Sequence, residues 1–300
     1  MSFANDELVP QINATPGAAE RLERGDIVLF APCPFALPTA DERAKLFELS
    51  IDTADAGHVG YDRRLGRVYG FLPNRAANAI WLRGVLERTG NEATRWLTDL
   101  IPRYAGACEL DYVAFHPDEE ATRTRRLLDR NDLLHVDASR TGPTNGRRLL
   151  RLFVNLHPTD ARVWQTSLHF AELFERYKGR LGLPAAAVGK WWRPLSQGLL
   201  RLLQPARAPA SPYDEFMQRL HDAVKRHDSL QEGARKKCWH FAPESAWLVF
   251  TDGVAHAELR GRFVLEIAYY ISRDGLACPE LAPSALFQRA VDAPAKALAA

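Results

Sequence analysis

Apolar residues along the chain follow two rhythms. Short unbroken runs bounded by Gly, Pro and Asp predict strands. They are Asp26-Ile27-Val28-Leu29-Phe30 at an edge, Tyr112 to His116, Arg147 to Leu156 as a central strand, Lys236 to Phe241, Ala246 to Phe250, Val254 to Ala257, and Gly261 to Ile271 as the longest. His58 to Tyr61 and Arg67 to Phe71, split by a polar turn, predict a hairpin. Helical spacing takes over between about Ala76 and Tyr104, where Gly90-Asn91 divides the pattern into two helices. It returns over residues 165–182 through Leu168, Phe170, Leu173, Phe174 and Tyr177. Two start signals are explicit: Thr39-Ala40-Asp41-Glu42 has the form of a capping box, and Ser211-Pro212 puts an N-cap before a proline at the first helical position. The second helix carries Phe216, Leu220 and Val224 on one face to about Lys225. Pro279 and Pro283 mark the end of the sheet, and the tail to Ala300 is peripheral.

Strands before and after a helical stretch predict an α+β fold with a double-stranded β-helix, or jelly-roll, core and flanking helices. Residues 1–25 form a flexible N-terminus. Residues 26–300 form a single domain with a helical insertion at about 165–230. Within the insertion, Lys190-Trp191-Trp192-Arg193 precedes a Leu-rich stretch. Such a segment suits a lipid surface, or equally a helix packed on the core with Trp191 and Trp192 as fillers.

Charge and cysteine content narrow the setting. The net charge of +2 is too balanced to imply nucleic acid as a partner. Four scattered cysteines without a CxxC fit reduced thiols in a cytoplasmic protein. No signal-peptide pattern opens the chain, and no stretch reaches the roughly 18 apolar residues of a spanning helix.

The candidate chemistry centres on Leu134-His135-Val136-Asp137-Ala138. In a strand, residues two apart share a face, so His135 and Asp137 can serve one metal. The candidate third ligand is His256, at 256 − 137 = 119 positions past Asp137. Two histidines and a carboxylate form the facial triad of non-haem iron oxygenases, against the simpler alternative of a hydrogen-bonded surface pair. The jelly roll favours the triad, because it brings an early and a late strand together at the barrel mouth. His221 and Asp222 do not share a helix face and make no rival pair. Arg151, amid apolar neighbours, requires an anion, which is either a structural acid or a co-substrate carboxylate. The run holding Arg123, Arg125, Arg126 and Arg130 is either a solvated loop or a contact for an anionic substrate.

The His-x-Asp segment, Arg148 to Asn155, Phe250 to Ala257, Ser211 to Ala223 and Gly261 to Glu266 together resemble the Kdo hydroxylase family, in one order across roughly residues 30–275. The resemblance implies an Fe(II)- and 2-oxoglutarate-dependent dioxygenase, using O2 and supported by ascorbate. Its substrate would be C3 of the outer 3-deoxy-D-manno-octulosonic acid (Kdo) sugar on lipid A. It implies His135, Asp137 and His256 as iron ligands, and Arg151 with Arg148 as holders of 2-oxoglutarate. Arg262 is the alternative holder, on the strand after the distal His. Arg126, Arg130 and Arg140 would meet sugar carboxylate and lipid A phosphates. Trp191 and Trp192 would touch the membrane, placing the protein peripherally on the cytoplasmic face of the inner membrane. A 2-oxoglutarate-dependent hydroxylase of another substrate, or a metal-free membrane-surface binding protein, are the alternatives.

Overall fold

In chain order the strands are β1 (Val28–Phe30), β2 (Val59–Asp62), β3 (Arg67–Tyr69), β4 (Cys108–His116), β5 (Arg148–Asn155), β6 (Arg162–His169), β7 (Lys237–Phe241), β8 (Ala246–Phe250), β9 (Val254–Arg260) and β10 (Val264–Ile271). A seven-stranded sheet runs β1-β8-β5-β10-β4-β2-β3, and a three-stranded sheet runs β7-β6-β9. Every strand pairing is antiparallel. The computed structural model describes residues 17–49, 58–70, 76–118, 125–138, 143–183, 210–233 and 235–297. Residues 1–16, Arg123, Arg140, Trp191 and Trp192 lie outside the described residues.

Strand alternation divides the apolar side chains into three layers. On β10, Leu265, Ile267, Tyr269 and Ile271 face helices α1 (Ala18–Glu23) and α3 (Ala76–Leu100), while Val264 turns between the sheets. On β8, Leu248 and Phe250 take the helix side and Trp247 and Val249 the inner side. The inner layer is aromatic: Phe153, Trp164, Trp239, Phe241 and Trp247 fill the roll. Strands buried on both faces read as continuous apolar runs, so the central strands were visible in the sequence. The third layer lies outside β9, where Ala255 and Ala257 meet α4 (Phe170–Leu181), α5 (Pro212–Lys225) and α7 (Pro283–Ala297).

Both predicted helix starts form, each as a capping box. Thr39 caps α2 (Ala40–Phe47) with Glu42, and Ser211 caps α5 with Asp214. The predicted hairpin is β2–β3, and the edge strand is β1.

The structure corrects five expectations. Gly90 does not divide α3, which is one helix of 25 residues. A Cβ on Gly90 would stand 2.7 Å from Val113 Cγ2, so the glycine lets the helix approach β4 closely. The helix expected from residue 165 begins at Phe170; β6 precedes it, with Val163, Trp164, Thr166 and Leu168 buried in a strand. Part of the N-terminal segment expected to be flexible is α1, with Leu22 buried and Glu23 accepting hydrogen bonds from the Ala277 and Cys278 amides. The C-terminal segment is not peripheral, because α7 buries Phe287 and Val291 against the α5 face. The longest strand is β4, with nine residues.

Candidate metal centre

Residues 134–138 are extended but belong to no regular strand. They join β9 by a single bridge, in which His135 N–H donates to the His256 carbonyl at 3.0 Å and His256 N–H donates back at 2.9 Å. Asp137 N–H donates to the Thr251 carbonyl at 2.9 Å. Leu134 and Val136 point outward into the helix-covered apolar layer beside Ala255 and Ala257. The alternate residues His135, Asp137 and His256 therefore turn inward, and their ligand atoms lie within 4.8 Å of one another.

The two imidazoles are held in one tautomer. A carbonyl can only accept, so His135 Nδ1 donates to Leu133 O at 2.7 Å and His256 Nδ1 donates to Val254 O at 3.1 Å. Both Nε2 lone pairs are left facing Asp137 Oδ1, at 3.7 and 4.0 Å. Burial first, and then the neighbouring His256, hold the His135 pKa well below that of a free imidazole. Burial opposes the charge on Asp137, yet His256, Arg151 and His135 keep its carboxyl well below the usual carboxylate range. A neutral nitrogen on His135 and an ionised carboxylate are the forms a metal binds. Two imidazoles with one carboxylate suit Fe(II) with positions left open. The donor set fits that ion.

The trio sits in the wall of a cavity of about 210 Å³. Arg151, on the inner face of β5, enters the same cavity, with Nε 3.1 Å from Glu266 Oε1 and 3.8 Å from Asp137 Oδ2. Neither contact is an aligned hydrogen bond, and Nε and Nη1 of Arg151 are buried without a hydrogen-bond partner. Burial works against the guanidinium charge, but Tyr112, Glu266 and Asp137 raise the Arg151 pKa further still. An under-bonded buried cation beside a metal site fits the carboxylate of a small organic acid.

Glu266 was not singled out in the sequence. It accepts from Tyr112 Oη at 2.6 Å and contacts His116 Nε2 at 2.9 Å. Although burial alone would raise it, His116, Arg151 and Tyr112 lower its carboxyl to about 2. The available signal was related: Glu266 is the lone acid in an apolar strand, as Arg151 is a base flanked by leucines in another.

The remaining arginines divide. Arg148 lies three residues from Arg151 and therefore on the opposite face of β5, where Nε meets Asp252 at 3.0 and 3.1 Å and the ring of Phe250 lies 4.1 Å away. It is outside the cavity and corrects the expectation that it neighbours a co-substrate. Arg262 likewise turns away, donating to Pro117 O at 3.1 Å, with its side chain 49% exposed. The inward position on β10 belongs to the acid Glu266. Arg130 is engaged by Asp132 at 2.5 and 2.9 Å, and Arg126 lines a separate hollow with Leu128 and Arg226. Among the described members of that run, Arg125 reaches the cavity wall.

Comparison with known proteins agrees with this geometry. Among solved structures, the Kdo hydroxylase KdoO, a non-haem Fe(II) α-ketoglutarate-dependent dioxygenase, in complex with cobalt(II), is 29% identical, with a TM-score of 0.78 over 92% of this chain and 89% of that one. The same enzyme with α-ketoglutarate and Fe(III) gives 0.76, and with succinate and Fe(III) 0.77, at the same identity and coverage. No curated protein sequence matches. The family model for 3-deoxy-D-manno-oct-2-ulosonic acid (Kdo) hydroxylase matches residues 6–294, and the chain belongs to that family.

Proposed function

We propose that this Kdo hydroxylase uses Fe(II), 2-oxoglutarate and O2 to hydroxylate C3 of the outer Kdo sugar of Kdo-lipid A, with ascorbate supporting turnover. The observation that carries the assignment is the inward His135, Asp137 and His256 trio beside an under-bonded Arg151 in one cavity. His135, Asp137 and His256 would hold the metal, and Arg151 would take a carboxylate of 2-oxoglutarate. Bound there, iron with its co-substrates supplies the oxidising power for a C–H bond.

The chain's own residues supply placement. The Leu133 and Val254 carbonyls fix both imidazoles with Nε2 toward the ligand position. Glu266, held by Tyr112 and His116, braces Arg151 from one side and leaves Nη1 toward the co-substrate. Arg125 offers a cation at the wall for the carboxylate of an acidic sugar. Arg126 and Arg140 would meet lipid A phosphates, and Trp191 with Trp192 the lipid surface. Arg130, already paired, is left out of that surface. The chain from α1 onward would act as one domain on the cytoplasmic face of the inner membrane. Among the described residues no helix is long and apolar enough to cross a membrane.

The test is mass spectrometry of Kdo-containing lipid A after incubation with protein, Fe(II), 2-oxoglutarate, ascorbate and air, with succinate quantified alongside. One added oxygen located at C3 of the outer Kdo, absent with His135→Ala, is expected. Succinate without modified lipid would overturn the lipid A assignment and leave another substrate. Unchanged turnover and vesicle binding in the Trp191→Ala, Trp192→Ala double variant would remove the membrane contact.

A further inference from the structure

Among the described residues, the ligand-bearing segment has a neighbouring strand on one side only. Its inner side is paired with β9 and with Thr251. Its outer side presents the backbone groups of Leu134 and Val136, both buried and so in need of partners. Side chains meet three of those groups, Leu134 N–H, Leu134 O and Val136 O. Gln231, on α6 (Asp228–Glu232), accepts from Leu134 N–H at 2.8 Å through Oε1 and donates from Nε2 to Leu134 O at 2.9 Å. Its Nε2 also donates to Val224 O at 2.9 Å, which ties the amide to the last turn of α5. One residue pair further along, His221 Nδ1 on α5 donates to Val136 O at 2.8 Å. The ring of His221 lies 5.2 Å from that of His135.

We infer that Gln231 and His221 are positioning residues of the metal centre, whose side chains replace the missing strand and fix the spacing of His135 and Asp137. The inference rests on the metal assignment above. A two-bond amide contact at Leu134 and a single bond at Val136 bracket His135 on both sides. Neither side chain belongs to the ligand group; Gln231 acts through the backbone, and His221 through the backbone and its ring contact with His135. The helices inserted between β6 and β7 thereby acquire a task beyond covering the sheet. They supply the outer hydrogen bonds of the segment that carries two of three ligands. Partners of this kind typically change metal affinity about 10- to 100-fold when removed.

The test is anaerobic titration of the metal-stripped full chain with Co(II) or Fe(II), together with the melting temperature of the metal-free form. Gln231→Leu removes both bonds at similar volume. Gln231→Glu keeps the acceptor, removes the donor and sets a charge against Leu134 O. Leu173→Ala serves as a control, because it loosens the same apolar layer while leaving the side-chain hydrogen bonds at Leu134 and Val136 in place. The expected result is about a 10- to 100-fold loss of metal affinity in both Gln231 variants, with Leu173→Ala near wild type even where it melts as low. Wild-type affinity in both Gln231 variants would overturn the inference, as would an equal loss in Leu173→Ala. A wild-type protein that takes up no more metal than Asp137→Ala would overturn the metal assignment itself. That result is distinct from a failure of Gln231 alone.

Discussion

Replacing Arg151 with Met removes a buried cation while keeping much of the side-chain volume. In the present structure Nη1 is buried without a hydrogen-bond partner while Nε lies beside Glu266, so a bound carboxylate can meet the Nη end of the guanidinium with up to two charge-assisted bonds. Each is worth roughly 1.5–3 kcal/mol. Glu266 at 3.1 Å and Asp137 at 3.8 Å already neutralise part of the charge, which reduces the gain from a further anion. A net loss of about 2–4 kcal/mol is expected, equivalent to roughly a 30- to 700-fold weaker 2-oxoglutarate affinity. The assay is anaerobic titration of the ferrous protein with 2-oxoglutarate, followed by the visible absorption of the complex. Metal affinity is read in parallel, so that any change passed on through Asp137, which Arg151 helps keep ionised, is separated from the loss of co-substrate. A dissociation constant for 2-oxoglutarate within about threefold of wild type would refute the assignment of Arg151 as the anchor.

Other outcomes follow from the same geometry. Arg148→Met leaves Asp252 buried without its partner, so it is expected to destabilise the fold by about 3–5 kcal/mol in urea titration while 2-oxoglutarate affinity is unchanged. A large fall in co-substrate affinity of the folded variant would return Arg148 to the site. Glu266, whose carboxyl is lowered from 4.5 to about 2, contributes stability that is full above pH 4.5 and is lost as pH falls toward 2. The stability difference between wild type and Glu266→Gln, measured by urea unfolding across that window, is expected to shrink with falling pH; a difference independent of pH would refute it.

Much of the fold was legible because its physics is local. Runs such as Ala246 to Phe250 are buried on both faces and announce themselves as strands, and Thr39 and Ser211 cap helices with their own neighbours. The spacing of His135 and Asp137 placed them on one face even though the segment is not a regular strand. What escaped depends on contacts between distant elements. Gly90 reads as a break until Val113 is seen beneath it. Residues 165–169 match the helical spacing of α4, and only pairing with β7 and β9 makes them a strand. Phe287 and Val291 are too few to identify a core helix without the α5 face they cover. The separate fates of Arg148 and Arg151 were within reach, since residues three apart on a strand oppose one another. The outer bonds from Gln231 and His221 were not, because nothing local links an amide to a backbone 97 positions earlier.

The opposed arginines of β5 also guard the strand against sliding. Arg148-Leu149-Leu150-Arg151-Leu152 is nearly uniform in leucine, and a uniform strand buried on both faces has weak preference for its alignment with β8 and β10. A slip of one residue would carry each guanidinium to the wrong side of the sheet. If Leu149 and Leu152 move into their places, Asp252 and Glu266 are each buried opposite leucine, at a cost of several kcal/mol apiece; in the opposite slip Arg147 replaces Arg148 and Glu266 alone faces leucine. The two charges thus act as a vernier on an otherwise featureless strand, and the misaligned chain is penalised at Glu266 in either direction and at Asp252 as well in one of them. The price of a unique alignment is that neither arginine can be exchanged for a better-packing apolar residue without blurring it.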